Sequence, residues 1–220
     1  MLYGLDFIKC DLDYSKRIYE EQVNEDGRRF QKTLWRCPYY NRWVGMLERC
    51  FSDKFKNKHP TYKDVTCCDE WLTFSNFKSW METQDWEGKQ LDKDLLIYRN
   101  KVYSPETCCF ISQSLNKFMT KNNACRGDLP LGVAMETKHK NGEYVCRLKY
   151  RAAISYDNYS TRIGGFETVE EAHRAWQSEK IRLTYILFEK ESDNKVREGL
   201  LRVYNKIKFD YDNNLITEDF

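Results

Sequence analysis

Three groups of side chains in this 220-residue chain are of types that could do chemistry. The first is Asp92-Lys93-Asp94, with Asn116 following in a segment of helical periodicity. Carboxylate and amide oxygens are ligands for hard divalent cations. The lysine between them is an ammonium near pH 7, so without strong burial it is a cation and not a base. The second group is a basic stripe. From Glu143 to Ala152 the residues alternate, so that Tyr144, Cys146, Leu148 and Tyr150 share one face of a strand and Val145, Arg147, Lys149 and Arg151 the other. Lys138, Lys140 and Arg162 on neighbouring strands extend the stripe. Arginines on a sheet face can fork onto guanine edges in a major groove, and lysines neutralise phosphate. An ordinary solvated sheet face has the same composition.

The third group is the cysteines, nine in all. Cys37, Cys50, Cys68 and Cys108 each sit beside a patterned aromatic or helix position, and four thiols suffice for a tetrahedral zinc site. No Cys-x-x-Cys pair occurs, so structural zinc and four separate buried thiols both stay open. Cys10, Cys67, Cys109, Cys125 and Cys146 read as core or surface residues.

The elements that must position these groups follow from periodicity. A hairpin-like charged segment turns at Asp26-Gly27. Trp43, Met46, Leu47, Cys50 and Phe51 mark a helix over 39–51, and Trp71, Phe74, Phe77 and Met81 a helix over 69–82. The stretch 91–116 reads as two strands joined by a turn at Arg99-Asn100-Lys101, then a loop from Ser104-Pro105, then a helix. Residues 117–130 are polar and break the period. Beyond them come a strand over 131–135, a hairpin turn at Asn141-Gly142, two further strands, and a helix opened by the Thr168/Glu171 capping box. A last amphipathic helix carries Val196, Leu200, Val203, Tyr204 and Ile207. The expected fold class is α+β. An N-terminal helical plus strand–strand–helix module spans 1–120, a linker 121–130, a three-stranded antiparallel sheet packed on a helix 131–190, and a C-terminal amphipathic helix and tail 191–220.

Composition bounds the class. With 41 % hydrophobic and 15 % aromatic residues the chain can build a core and is not a disordered protein. Net charge is only +2, but 92–151 holds eleven Lys and Arg against six Asp and Glu, leaving about +5 there, while the last thirty residues lean acidic. A basic middle fits a local nucleic-acid surface. No apolar run approaches a membrane span and the Met1-Leu2-Tyr3-Gly4 start has no basic region. The expectation is a cytoplasmic protein with reduced cysteines and no membrane partner.

Two resemblances sharpen this. The residues Leu131-Gly132-Val133, Gly142-Glu143-Tyr144-Val145-Cys146-Arg147-Leu148 and Ile163-Gly164-Gly165-Phe166-Glu167-Thr168-Val169-Glu170-Glu171-Ala172 resemble the apetala/ethylene-response-factor type of DNA-binding domain. That family's pattern is Gly-Val, Trp-x-Ala-x-Ile and Leu-Gly-x-Phe-x-Thr-x-Glu-Glu-Ala, and Tyr144 stands here in place of the usual strand Trp. The resemblance implies a three-stranded sheet laid in the major groove with a helix behind it. Across the whole chain, Tyr3-Gly4, Cys37-Pro38-x-Tyr40, Trp43-x-x-Met46-x-x-Arg49-Cys50, Pro60-Thr61-Tyr62, Cys68-x-Glu70-Trp71, Phe74-Ser75-x-Phe77, Leu91-Asp92-Lys93-Asp94 and Tyr103-Ser104-Pro105-x-Thr107-Cys108 are similar to phage-encoded HNH-type homing endonucleases.

In an HNH centre the first strand ends in Asp-His, the His deprotonates water, and the Asp with a helix Asn or His holds one divalent metal at the scissile phosphate. The resemblance thus assigns Asp92, Lys93, Asp94 and Asn116 to a degenerate catalytic centre, with Lys93 where His belongs. It implies an intracellular phage or mobile-element protein in a bacterial host, bound to double-stranded DNA as a repressor or site blocker. The alternative is an active nuclease using Mg²⁺ on Asp92, Asp94, Asn100 or Asn116, with His59 or His139 activating water. A weaker third reading is an adaptor with a basic face. Whether it acts as a monomer or a homodimer is open at this level.

Overall fold

In the computed structural model, residues 5–11, 17–120, 127–136, 149–157 and 159–220 are described. The chain is α+β and divides into two compact units, one of residues 1–87 with 99–108, the other of 88–98 with 109–220. The division does not follow the expected boundary at 121–130, and the expected 1–120 module is shared between the two units.

The first unit begins with a hairpin of β1 (Arg17–Val23) and β2 (Arg29–Arg36), antiparallel, turning through Gly27. Helix α1 (Pro38–Phe51) follows, started by Pro38 at a position whose N–H would have no helical partner. Ser52 caps a short α2 (Asp53–Lys58), which ends before Pro60. The expected helix 69–82 is two pieces, a tight turn over Asp69–Leu72 and α3 (Phe74–Glu82). It breaks at Thr73 because Lys9 pairs there, donating to the Leu72 carbonyl and accepting from the Phe74 N–H. The apolar stripes are core as expected: Trp43, Met46, Trp71, Phe74, Phe77 and Met81 are buried, and the Trp43 indole donates to the Trp71 carbonyl at 2.7 Å. Strand β3 (Thr66–Cys67) completes this unit by pairing in parallel with β5 (Val102–Tyr103).

The second unit carries β4 (Gln90–Asp92), β6 (Cys109–Ile111) and α4 (Gln113–Met119). The expected hairpin around Arg99-Asn100-Lys101 is therefore not formed: β4 pairs antiparallel with β6, and β5 belongs to the other unit. The turn itself is real. Arg99 has φ +54°, and the Asn100 amide both donates to the Val102 carbonyl and accepts from its N–H. What the local signal could not specify is the strand's partner. Tyr103 is buried in the first unit's core and Leu95 in the second's, and those burials decide where each strand goes.

The remainder is a three-stranded antiparallel sheet, β7 (Val133–Met135), β8 (Tyr150–Tyr156) and β9 (Tyr159–Phe166), in that order, with a bulge after Ala152. Val133, Ala152 and Ile154 point inward to Ala172 and Trp176 of α5 (Val169–Lys190), whose capping box is formed by Thr168 and Glu171. Helix α6 (Asn194–Asp212) adds Val196, Leu200, Val203 and Ile207 to the same core. Buried polar bonds fix the layers. His173 donates from Nδ1 to the Leu131 carbonyl and accepts at Nε2 from the Thr217 N–H, both at 2.9 Å, which sets it as the neutral Nδ1–H tautomer. The buried Lys180 ammonium donates to the Phe118 carbonyl at the C-terminal end of α4 and lies over the Phe118 ring. No helix among the described residues is long and apolar enough to cross a membrane.

Candidate nucleic-acid interface

The side of the sheet turned away from α5 is where three of the expected DNA-contacting residues stand. Alternation along β8 places Tyr150, Ala152 and Ile154 against the core and Arg151 on the opposite side. Across the ladder Arg151 is paired with Ala134 of β7 and Gly165 of β9. Neither neighbour carries a side chain larger than a methyl group. The Arg151 Nε is buried and, among the described residues, meets no hydrogen-bond acceptor. Burying such a donor costs free energy unless something accepts from it.

Lys149 is exposed two residues before Arg151, opposite Glu136, whose N–H bonds to the Lys149 carbonyl at 2.9 Å. Arg162 of β9 donates through Nη2 to the Glu136 carboxylate at 2.6 Å. That carboxylate is almost fully buried, while Arg162 is exposed, so the pair fixes the guanidinium's direction more than it neutralises a surface charge. Sequence alone does not single out Glu136. Its signal was weak: one acidic residue just ahead of the basic run that starts at Lys138. Lys138, Lys140, Arg147 and the Asn141-Gly142 turn lie outside the described residues.

The acidic triplet has a different role from the one expected. The Asp92 carboxylate accepts the N–H groups of Asp94 and Leu95 through one oxygen, at 2.9 and 2.7 Å, and so caps the turn that leaves β4. Burial pushes the Asp92 carboxyl above its ordinary range, opposed by the Leu95 N–H. Lys93 is buried and its ammonium lies 2.5 Å from the exposed Asp94 carboxylate. The turn is seated on α6: Arg202 donates to the Leu95 carbonyl at 3.0 Å, and Gly199 leaves room for Leu95, since a Cβ there would lie 2.5 Å from the Leu95 Cγ.

Asn116 is on the exposed side of α4, whose Leu115 and Phe118 are buried. Asn100 holds its own turn in the other unit, and His59 packs its ring on Phe55 at 4.4 Å. His139 lies outside the described residues. These donors do not fit a nuclease magnesium: one carboxylate is committed to backbone N–H groups and the other to an ammonium.

The cysteine set also differs. Cys37, Cys50 and Cys108 are buried and Cys68 half-buried, but among the described residues no three His, Cys, Asp or Glu side chains come together so as to hold a metal. The Cys50 thiol interacts instead with that of Cys67, a residue whose sequence context carries no metal-ligand signal. That interaction and burial raise Cys50, while the same interaction lowers Cys67. Comparison of the chain with protein-family models, with curated proteins and with solved structures finds no match.

Proposed function

We infer that the chain is a sequence-specific double-stranded DNA-binding protein whose reading surface is the outer face of β7–β8–β9. The observation that carries this is Arg151. It stands on the central strand between two small cross-strand neighbours, with a buried Nε that lacks an acceptor among the described residues. A guanidinium offered from a three-stranded antiparallel sheet suits the two acceptors on a guanine edge in the major groove. Arg162, aimed by Glu136, supplies a second directed cation, and Lys149 one that suits a phosphate. Because Asp92 and Lys93 are committed to the turn on α6, the reading is occupancy of a site, as a repressor or site blocker, without cleavage.

The experiment is selection of sites from a random duplex library by the full chain, followed by titration of variants. Arg151→Ala should lose about 1–3 kcal/mol on the selected site and relax the preference at one base pair. Lys149→Ala should weaken all sequences alike and reduce the salt slope by about one. Selection of the same site with unchanged affinity by Arg151→Ala removes the sheet from the interface. A discrete cut by the unmodified protein in Mg²⁺ or Mn²⁺, lost in Asp92→Asn, would replace site blocking with nuclease action.

A further inference from the structure

The hairpin β1–β2 is unlike the rest of the molecule. Among the described residues it is a two-stranded sheet with no third strand on either edge, and each residue of β2 is exposed. Its large apolar side chains are not buried by anything described: Ile18 is 56 % exposed, Tyr19 53 %, Val23 62 %, Phe30 47 %, Leu34 56 % and Trp35 45 %. An isolated two-stranded hairpin is marginal in water at best, and stability needs more strands or a surface to pack on. Three of these, Ile18, Phe30 and Trp35, lie on one face of the hairpin and present about 300 Å² of apolar area there. With Glu20, Gln22 and Lys32 between them, the face offers about 500 Å², the size of a weak interface that dissociates on dilution.

Register sorts these residues. Ile18 pairs with Trp35, Glu20 with Lys32 and Gln22 with Phe30, so these six share one face. That face reads as an apolar pair, a pair of opposite charges, and a mixed pair. It is complementary to itself. A two-fold axis parallel to the strands lays β1 of one copy over β2 of the other. Ile18 then meets Trp35, Glu20 meets Lys32 and Gln22 meets Phe30, each contact made twice. Charge argues against a polyanion as the occupant. From Arg17 to Arg36 there are five Lys and Arg against four Asp and Glu, and Glu20 would face any phosphate placed on the Lys32 side.

We propose that the Ile18/Glu20/Gln22–Phe30/Lys32/Trp35 face of the β1–β2 hairpin is a homodimer interface, occupied by the same face of a second copy of this chain. The proposal stands on the hairpin alone and does not depend on the DNA reading.

The test is sedimentation equilibrium of the full chain over a range of concentrations. The unmodified protein should be a dimer that dissociates on dilution. Glu20→Lys and Lys32→Glu, each placing like charges face to face, should raise the dissociation constant by at least about tenfold. The double swap, Glu20→Lys with Lys32→Glu, should restore it, and circular dichroism of each single variant matching that of the unmodified chain shows that the hairpin itself, in which Glu20 also faces Lys32, is still formed. Trp35→Glu should leave a monomer with the far-ultraviolet circular dichroism of its helices intact. A monomer at all concentrations overturns the proposal. So does a dimer that ignores all four variants, or single swaps that weaken DNA binding while the mass stays that of one chain; the last outcome would put the hairpin on DNA instead.

Discussion

Replacing Gly132 by alanine tests how the sheet is held on its helix. Gly132 precedes β7 with φ +76°, in the left-handed region that costs a residue with a Cβ about 1–2 kcal/mol. A Cβ there would also lie 1.9 Å from Cδ1 and 2.0 Å from Cγ of the buried Trp176 ring. One of the two must move. The ring is stacked on His173 at 5.5 Å, and the strand is tied by the Ala153 N–H to the Gly132 carbonyl and by His173 to the Leu131 carbonyl. Forcing atoms into such a packed site costs about 1–3 kcal/mol more. Gly132→Ala should therefore destabilise the second unit by about 2–5 kcal/mol.

Gly127 is the control. Its φ is +62° but, among the described residues, nothing lies within 4 Å of where a Cβ would stand, so Gly127→Ala should cost only the backbone share, about 1 kcal/mol. Hydrogen exchange of β8 and α5 peptides reads the stability of this unit without interference from the other. Against a Trp176→Leu background, the cost of Gly132→Ala should fall towards that of Gly127→Ala, a coupling of about 1 kcal/mol or more. Equal costs for the two glycine variants, or no coupling to Trp176, would refute the reasoning.

Two further outcomes follow from groups whose expected roles changed. Burial raises the Asp92 carboxyl, so the folded chain holds that proton more tightly than the unfolded one; the stability it contributes is complete below about pH 4 and is lost as pH rises through the folded value. Asp92→Asn keeps the acceptor for the Asp94 and Leu95 N–H groups, so its urea midpoint relative to the unmodified chain should climb between acid and neutral pH, whereas Asp92→Ala, losing the cap, should cost about 0.5–2 kcal/mol at acid pH; a flat difference for the asparagine variant sinks the assignment. A mild thiol oxidant should join Cys50 to Cys67 ahead of any bridge among Cys37, Cys68 and Cys108, as read by peptide mass mapping, because Cys67 is the better thiolate and interacts directly with the Cys50 thiol; a map dominated by the other three would refute the pairing.

What the sequence by itself determined is local. The stripe Trp43–Met46–Leu47–Cys50, the Thr168/Glu171 capping box, the turn at Gly27 and the alternation that sets Arg151 opposite Ala152 each follow from spacing within a few residues, and each is formed. The α+β class follows from them. Partnership was decided only by the tertiary structure. The triplet Asp92-Lys93-Asp94 looks the same in sequence whether its carboxylates face a metal or cap a turn, and the choice was made by Gly199 and Arg202, about a hundred residues away. Cys50 found Cys67, Arg162 found Glu136, and β4 passed over the nearby β5 to pair with β6. In each case the competing arrangements have nearly equal local free energies. The difference lies in which apolar residues, Leu95 and Tyr103 among them, lose contact with water when distant segments meet, and no window of neighbouring residues contains that term.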